Sequence, residues 1–268
     1  VTIRGQRYIR TLANGSASSV YLAESERAGE LVALKVLSAV PDVAEGKNTF
    51  DRFLQEYEVV AKVQHPNVVR IFDLGVADDH AYIAMEYFAA GDLRQRMRRP
   101  IDPDIAVDYL RQIAAALEGI HAVGVLHRDL KPGNVMLRAD GTLALIDFGL
   151  AKQLELDAAI TATGEIFGTP YYMSPEQGHG AETDERSDLY SVGVILFEML
   201  AGRKPYLAET PMQVIYKHSH APLPELPSAL AHLQPLAHRL LAKDPRERFQ
   251  TAAELREAAE NILVELRR

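Results

Sequence analysis

Residues 125–149 constrain this chain more than any other stretch. They read Val-Leu-His-Arg-Asp-Leu-Lys-Pro-Gly-Asn-Val-Met-Leu, then a short polar turn, then Leu-Ala-Leu-Ile-Asp-Phe-Gly. Two apolar runs, 135–137 and 143–146, flank Arg138-Ala139-Asp140-Gly141. An Asp-Gly pair between apolar runs is a strong hairpin signal. Such a hairpin brings Asn134, at the start of one strand, beside Asp147, at the end of the other. Amide and carboxylate oxygens at one mouth suit a hard divalent cation. Asp129 and Lys131 lie one loop away, as a possible base and a point charge for phosphate. Taken singly, each of these residues is as readily met in a polar loop over a surface hairpin. The complete set at this spacing carries the argument.

Length and composition allow a large, well-cored globular protein. The 268 residues suffice for one large domain or two lobes. Apolar content of 47% and charged content of 25% are ordinary. The net charge of −8 argues against a general nucleic-acid binder. No cysteine is present, so disulfides and thiol chemistry are ruled out, which fits a reducing compartment. No apolar run reaches transmembrane length and no signal peptide is visible. The expectation is a cytoplasmic segment that touches neither membrane nor nucleic acid. The chain opens on Val1, and the reading is an excised domain, with a membrane anchor elsewhere in a longer parent left open.

The first third reads mainly as strands. Residues 8–12 lead through a small-residue turn, 13–19, into 20–23, and 31–37 form a further strand. Small residues at such a turn let backbone amides approach a phosphate, although an ordinary hairpin turn looks the same. Ala33 and Lys35 are two apart and share a face. A lysine inside an apolar strand is costly unless it is paired or snorkels at an edge. Phe50, Phe53, Leu54, Tyr57, Val60 and Ala61 recur at helical spacing, with Asn48 or Thr49 as cap. Glu56 falls on that helix and is assigned as the partner of Lys35, a solvated glutamate being the plainer alternative. Pro66 stops the helix, and His65 is read as structural. Residues 68–72 and 81–85 read as two more strands around Asp78-Asp79-His80.

The rest reads helical. Asp102-Pro103 looks like a capped start for a helix running to about His121, with Ile105, Tyr109, Ile113, Leu117 and Ile120 inward. Between Asp147 and Glu176 no period is visible. This stretch contains Thr161, Thr163 and Thr169, and long loops of this kind are usually functional. Residues 189–200 form a strongly apolar helix with Asp188 at its start and Gly202 at its end. Thr210-Pro211 opens another helix, and Thr251 with Glu254 matches a capping box.

The segment His127-Arg128-Asp129-Leu130-Lys131-Pro132-Gly133-Asn134, with Asp147-Phe148-Gly149, resembles the catalytic loop and metal-binding triplet of protein kinases. Lys131-Pro132 is similar to the serine/threonine branch. Gly133-Asn134, the Ser174-Pro175-Glu176-Gln177 ending and the short domain resemble the bacterial type. The turn 13–19 resembles the glycine-rich loop but keeps only its middle glycine, Gly15; Ala13 and Ser18 replace the others. Gly168-Thr169-Pro170-Tyr171-Tyr172-Met173-Ser174-Pro175-Glu176 resembles the end of an activation segment, with Ser174 where the family commonly has Ala.

The resemblance implies an α+β, two-lobed kinase-like fold. A mainly β N-lobe with one main helix covers about 1–85, a hinge about 86–91 and a mainly α C-lobe about 92–268. It implies phosphoryl transfer from ATP with Mg²⁺, or Mn²⁺ in its place, to serine and threonine hydroxyls of proteins. Asp129 is the implied base, Lys131 touches the γ-phosphate, and Lys35, held by Glu56, fixes the α- and β-phosphates. Asn134 and Asp147 are the implied metal ligands, and Thr169 shapes the hydroxyl pocket. The implied nucleotide contacts are Leu12, Ala13, Asn14, Gly15, Ser16, Val20, Ala33, Met136, the gating Met85, the backbone of Glu86 and Phe88, and Asp92 at the ribose. Val60, Ile71, His127 and Phe148 form the implied spine. Asp188 is implied to hold the catalytic-loop backbone, Glu176 to pair with Arg248, and Arg128 to receive phosphate added at Thr161 and Thr163 by autophosphorylation. Gly133 stands where basic-directed relatives carry an acid, so a basic substrate preference is not implied. A homodimer is left open, as are a pseudokinase scaffold and a small-molecule phosphotransferase of related fold.

Overall fold

The structure, a computed structural model, describes residues 3–15, 18–37, 54, 57–78, 80–148 and 170–268. It comprises two units, Val1–Ala89 and Ala90–Arg268. In the first, five strands form one antiparallel sheet: β1 (Gln6–Asn14), β2 (Ser18–Ser25), β3 (Glu30–Leu37), β4 (Ile71–Ala77) and β5 (His80–Glu86), in the order β1-β2-β3-β5-β4. The two-residue period of a strand sorts β3 into two faces. Val32, Leu34 and Val36 are buried in a cluster with Ile3, Ala23 and Ala84, which leaves Ala33 and Lys35 on the opposite face. The register then fixes their neighbours: Val20 and Ile83 lie opposite Lys35, and Leu22 and Met85 opposite Ala33. Residues directly opposite share a face, so Val20, Ala33, Lys35 and Met85 share one.

One expectation needs adjusting here. The strand placed at 68–72 begins at Ile71 instead. Val68 and Val69 are buried before it, and Val68 N–H donates to His65 O at 3.1 Å, so this stretch closes a turn and apolarity there misleads. His65 also accepts Asn67 N–H through Nδ1 at 3.0 Å, a structural role as expected. Of the helix expected over 50–61, residues 54 and 57–61 are described, and they are helical.

The second unit is mainly helical: α1 (Leu93–Arg96), α2 (Pro103–His121), α3 (Pro175–Gly178), α4 (Glu185–Ala201), α5 (Pro211–His220), α6 (Gln234–Leu240) and α7 (Ala252–Leu266), with a two-stranded hairpin of β6 (Val135–Leu137) and β7 (Leu143–Leu145). α2 packs against α7 and α4. From Ser187 to Phe197 every residue of α4 is buried, as expected of a helix apolar all round. Gly193 permits this, because a Cβ there would meet Leu240 Cβ on α6 at 2.6 Å. α4 starts at Glu185, earlier than apolarity indicated, because Asp184 caps it through Arg186 N–H at 2.9 Å; Gly202, at φ 69°, ends it. Two expected caps are incomplete. Asp102 occupies the cap position of α2 but makes no side-chain bond. Thr251 accepts Glu254 N–H at 3.1 Å, whereas the Glu254 carboxylate accepts from Gln250 N–H at 2.8 Å, so the reciprocal half of the box is absent.

One buried ion pair ties the second unit together across sequence. Arg248 is fully buried, and all five of its N–H donors have acceptors. Two go to Glu176, at 2.6 and 2.9 Å, and the others to the carbonyls of Ala242, Lys243 and Arg186. Burial pushes the Glu176 carboxyl up. Hydrogen bonds and charge from Arg248, with the Ser187 hydroxyl at 2.6 Å, outweigh it and hold the group below its ordinary value. A carboxyl depressed in the folded state stabilises it above the unfolded value, and that contribution disappears as pH falls through the folded one. Glu176→Gln leaves the Arg248 charge buried without its counter-ion, so unfolding should become easier by about 3–5 kcal/mol. Urea titration checks this, and the acid-side loss of stability should be shallower in the variant than in wild type.

Candidate active site

The hairpin is built as its sequence dictates. Gly141 takes φ 84°, which a glycine adopts without strain. Asp140 accepts from Thr142 N–H at 3.0 Å and from its hydroxyl at 2.7 Å, closing the turn. Gln112 of α2, held by Asp108 at 2.8 Å, accepts Leu143 N–H at 2.8 Å and fastens β7 to the helix. Val135 pairs with Leu145, and Ile146 N–H donates to Asn134 O at 3.0 Å. Asn134 therefore lies opposite Ile146, and Asp147 is the next residue along.

The preceding loop converges on the same place. Asn134 is buried, and its Nδ2 donates to Asp129 O at 2.8 Å and to Asp129 Oδ2 at 3.2 Å. Because both partners are acceptors, the nitrogen must face them, so a cation at this place would meet Asn134 through Oδ1. Lys131 Nζ stands 3.8 Å from Asp129 Oδ2. An amide oxygen beside a carboxylate is a donor set that fits a hard divalent cation. Among the described residues no group of three or more His, Cys, Asp or Glu could hold a metal. A cation at Asn134 and Asp147 would take its other ligands from water or substrate.

His127 fixes the loop from beneath. It is fully buried, its Nε2 lies 2.7 Å from Ile146 O, and Asp129 N–H approaches its Nδ1 at 3.3 Å. The first contact needs a proton on Nε2 and the second a lone pair on Nδ1, so the ring is neutral. Burial lowers its pKa in the same sense, against the nearby carboxylates. Its ring packs on Phe148, with centroids 5.0 Å apart. This geometry suits a structural residue and not a base.

Arg128 and Asp147 have φ of 66° and 54°. Left-handed backbone at a residue other than glycine costs roughly 1–3 kcal/mol and persists only when its surroundings impose it. For Arg128 those surroundings are visible. Its N–H donates to Asp188 Oδ1 at 2.9 Å, and its carbonyl accepts Gln177 Nε2 at 3.1 Å. Asp188 also accepts His127 N–H and His121 Nε2 at Oδ2, each at 2.8 Å. Burial alone would raise this carboxyl; the His121 hydrogen bond and charge, then the charge and backbone N–H of His127, hold it below its ordinary value.

In the first unit, Lys35, Ala33, Val20 and Met85 share the sheet face described above. Leu12, Ala13 and Asn14 end β1, and Gly15 N–H donates to Ser18 O at 2.8 Å. Glu86 N–H donates to Arg70 O at 2.9 Å. In the second unit, Asp92 bridges to Met136 and caps α1, accepting Gln95 N–H at 2.8 Å. Its carboxylate thus has a local structural task that the sequence reading did not foresee. Ser16, Glu56, Thr161, Thr163 and Thr169 lie outside the described residues.

Three anchoring residues escaped sequence reasoning. His121 looked like a helix end, and Gln112 like one polar residue on α2. Gln177 had a legible half: Ser174-x-x-Gln177 has capping-box spacing, and Ser174 does accept Gln177 N–H at 3.3 Å. The other half, its reach to Arg128, depends on the tertiary fold. Asp188→Asn replaces a carboxylate by an amide that cannot accept all three donors. Amide exchange at His127 and Arg128 should therefore rise by at least tenfold while exchange along α2 and α4 stays slow; unchanged exchange at both positions would contradict the anchoring role.

The protein kinase domain family model matches residues 7–259. The serine/threonine-protein kinase pkn2 of Myxococcus xanthus is 41% identical over 264 residues, which is 94% of this chain and 32% of that protein. PknB of Mycobacterium leprae is 36% identical, covering 90% of this chain and 40% of its own length, and PrkC of Bacillus subtilis is 34% identical, covering 92% and 39%. The chain thus spans well under half the length of these relatives. The crystal structure of the Mycobacterium tuberculosis PknI kinase domain superposes with a TM-score of 0.75 at 28% identity, covering 97% of both chains. The buried anchors beneath the loop, the α+β architecture and these matches lead to one assignment: the chain belongs to the protein kinase domain family, in its bacterial serine/threonine branch.

Proposed function

We propose that this domain transfers the γ-phosphoryl group of ATP to serine and threonine hydroxyls of protein substrates. The observation that carries the reading is the convergence of Asp129, Lys131 and Asn134 in one loop, with Asp147 next to the residue that bonds Asn134. Asp129 orients the acceptor hydroxyl and takes its proton as the oxygen bonds to the γ-phosphorus. The bond from that phosphorus to the bridging oxygen breaks, and ADP leaves with that electron pair. Lys131, 3.8 Å from Asp129, offers a positive charge to the γ-phosphate. Lys35 meets the α- and β-phosphates, with Glu56 as its partner. Asn134 Oδ1 and the Asp147 carboxylate would hold a divalent cation, taken to be Mg²⁺, which would neutralise phosphate charge. Thr169 lines the hydroxyl pocket. Val20, Ala33 and Met136 flank the adenine, the backbone of Glu86 and Phe88 meets its edge, and residues 12–16 cover the phosphates.

Asp147→Asn removes ligand charge with little change in volume. Transfer from labelled ATP to a generic protein substrate should fall at least a hundredfold, with an unchanged unfolding midpoint. Near wild-type transfer would discard the ligand assignment. In the same assay, wild type that binds ATP without transferring it would favour a scaffold, and transfer to small alcohols in preference to protein would favour a small-molecule phosphotransferase.

Autophosphorylation at Thr161 and Thr163 belongs to the same reading. A phosphate brings nearly two negative charges and three strong acceptors, which suit an arginine fork such as that of Arg128. Mass spectrometry should find phosphate at one or both threonines in wild type and none in Asp129→Asn made in the same host. Equal occupancy in the two proteins would assign the modification to another enzyme.

A further inference from the structure

The chain carries 37 acidic and 29 basic residues, yet four arginines fall between positions 94 and 99. Two of them serve the local fold. Arg94 pairs with Asp92 at 3.3 Å. Arg96 donates to the carbonyls of Arg99 at 3.4 Å and Pro100 at 3.2 Å, which fastens the turn after α1. The other two, Arg98 and Arg99, are exposed on that fastened turn and form no ion pair with any described residue.

Beside them is a cavity of about 280 Å³ lined in part by Met97, Arg98, Arg99, Ile101, Glu198 and Met199. Its floor is apolar, since Ile101 and Met199 are almost wholly buried. Its one carboxylate is already engaged: Glu198 accepts the Tyr172 hydroxyl through one oxygen and Lys204 Nζ, at 3.1 Å, through the other. Lys204 offsets the Glu198 charge, and the uncompensated charge at the rim is that of two arginine forks. A guanidinium matches a carboxylate geometrically, and an unpaired pair of them over an apolar floor selects its ligand by both properties.

We propose that this cavity docks protein substrates through an acidic side chain next to an apolar one. The apolar group enters against Ile101 and Met199, and the carboxylate is held by Arg98 and Arg99. A basic residue seeking Glu198 would have to displace Lys204. The proposal rests on the protein-phosphorylating activity proposed above. Because the contact sits at an exposed rim, it acts on substrate affinity more than on turnover and weakens with salt.

The test uses serine peptides in which a Glu-Leu pair is stepped through successive positions on either side of the acceptor, with matched Gln-Leu and Lys-Leu series. At one register KM for the Glu-Leu peptide should be roughly tenfold lower than for Gln-Leu, as expected of two rim ion pairs, with kcat unchanged. The advantage should shrink as salt rises from about 0.05 to about 0.3 M. Arg98→Ala/Arg99→Ala should remove the advantage while turning over Gln-Leu peptides like wild type. Arg98→Glu/Arg99→Glu should transfer it to Lys-Leu. The proposal is overturned if no register separates Glu-Leu from Gln-Leu, if the double-alanine variant keeps the advantage, or if wild type prefers Lys-Leu. Failure to phosphorylate any peptide would instead count against the activity itself. Fluorescence anisotropy of the labelled Glu-Leu peptides on wild type and the double-alanine variant then decides docking alone, and equal binding by both overturns it.

Discussion

A buried carboxylate with three donors holds this protein's chemistry in place. Asp188 accepts the main-chain N–H groups of His127 and Arg128 and the His121 ring. Without it, the main-chain N–H groups of His127 and Arg128 would lose their acceptor, and the left-handed Arg128 would keep the Gln177 bond to its carbonyl but lose the one to its N–H. A charged acceptor is needed because it offers enough lone pairs for all three donors and makes stronger bonds than a neutral group. The strain at Arg128 is thus carried by burial and charge two helices away in sequence.

The same helix supports the segment on the far side of the loop. Besides Asp188, α4 presents Ser187 to Glu176, Ser191 to the Tyr172 carbonyl at 2.6 Å, and Glu198 to the Tyr172 hydroxyl. Burial and the Glu198 contact push the Tyr172 hydroxyl far above its ordinary pKa, so it remains a donor throughout the physiological range. Enclosed from Ser187 to Phe197, this helix directs Ser187, Asp188, Ser191 and Glu198 to α3, to the residues just before it and to the loop before the hairpin. Arg248 completes this arrangement from near the end of the sequence, with Glu176 as its anion. Ser187, Ser191, Glu198 and Arg248 each have a partner of matching kind, which is the condition under which buried charge is tolerated.

In the first unit the controlling constraint is register. A one-residue slip of β3 would turn Lys35 into the apolar cluster and Val36 out of it. The alternation of Val32, Leu34 and Val36 with Ala33 and Lys35 prevents that, because the burial of three aliphatic side chains opposes the slip. Sheet register therefore sets which residues accompany Lys35, and Val20, Ala33 and Met85 follow from it.

Much of this was legible in the residues. The Asp-Gly turn announced the hairpin and with it the approach of Asn134 to Asp147, because loop length and strand period are local properties. The apolar run of α4, the alternation of β3 and the pairing of Glu176 with Arg248 were readable too, the last through its resemblance to a family pattern. What the sequence could not decide were contacts whose partners lie far apart in the chain. Whether Val68 begins a strand, what Asp92 does once it caps α1, and why Gln177, Gln112 and His121 matter are all set by which buried donors face which acceptors. That Arg98 and Arg99 form no ion pair with any described residue is of the same kind: the four arginines are visible in sequence, but only the fold determines that Arg94 and Arg96 serve the local turn. Local periodicity specifies elements, whereas the satisfaction of buried polar groups is a property of the assembled whole.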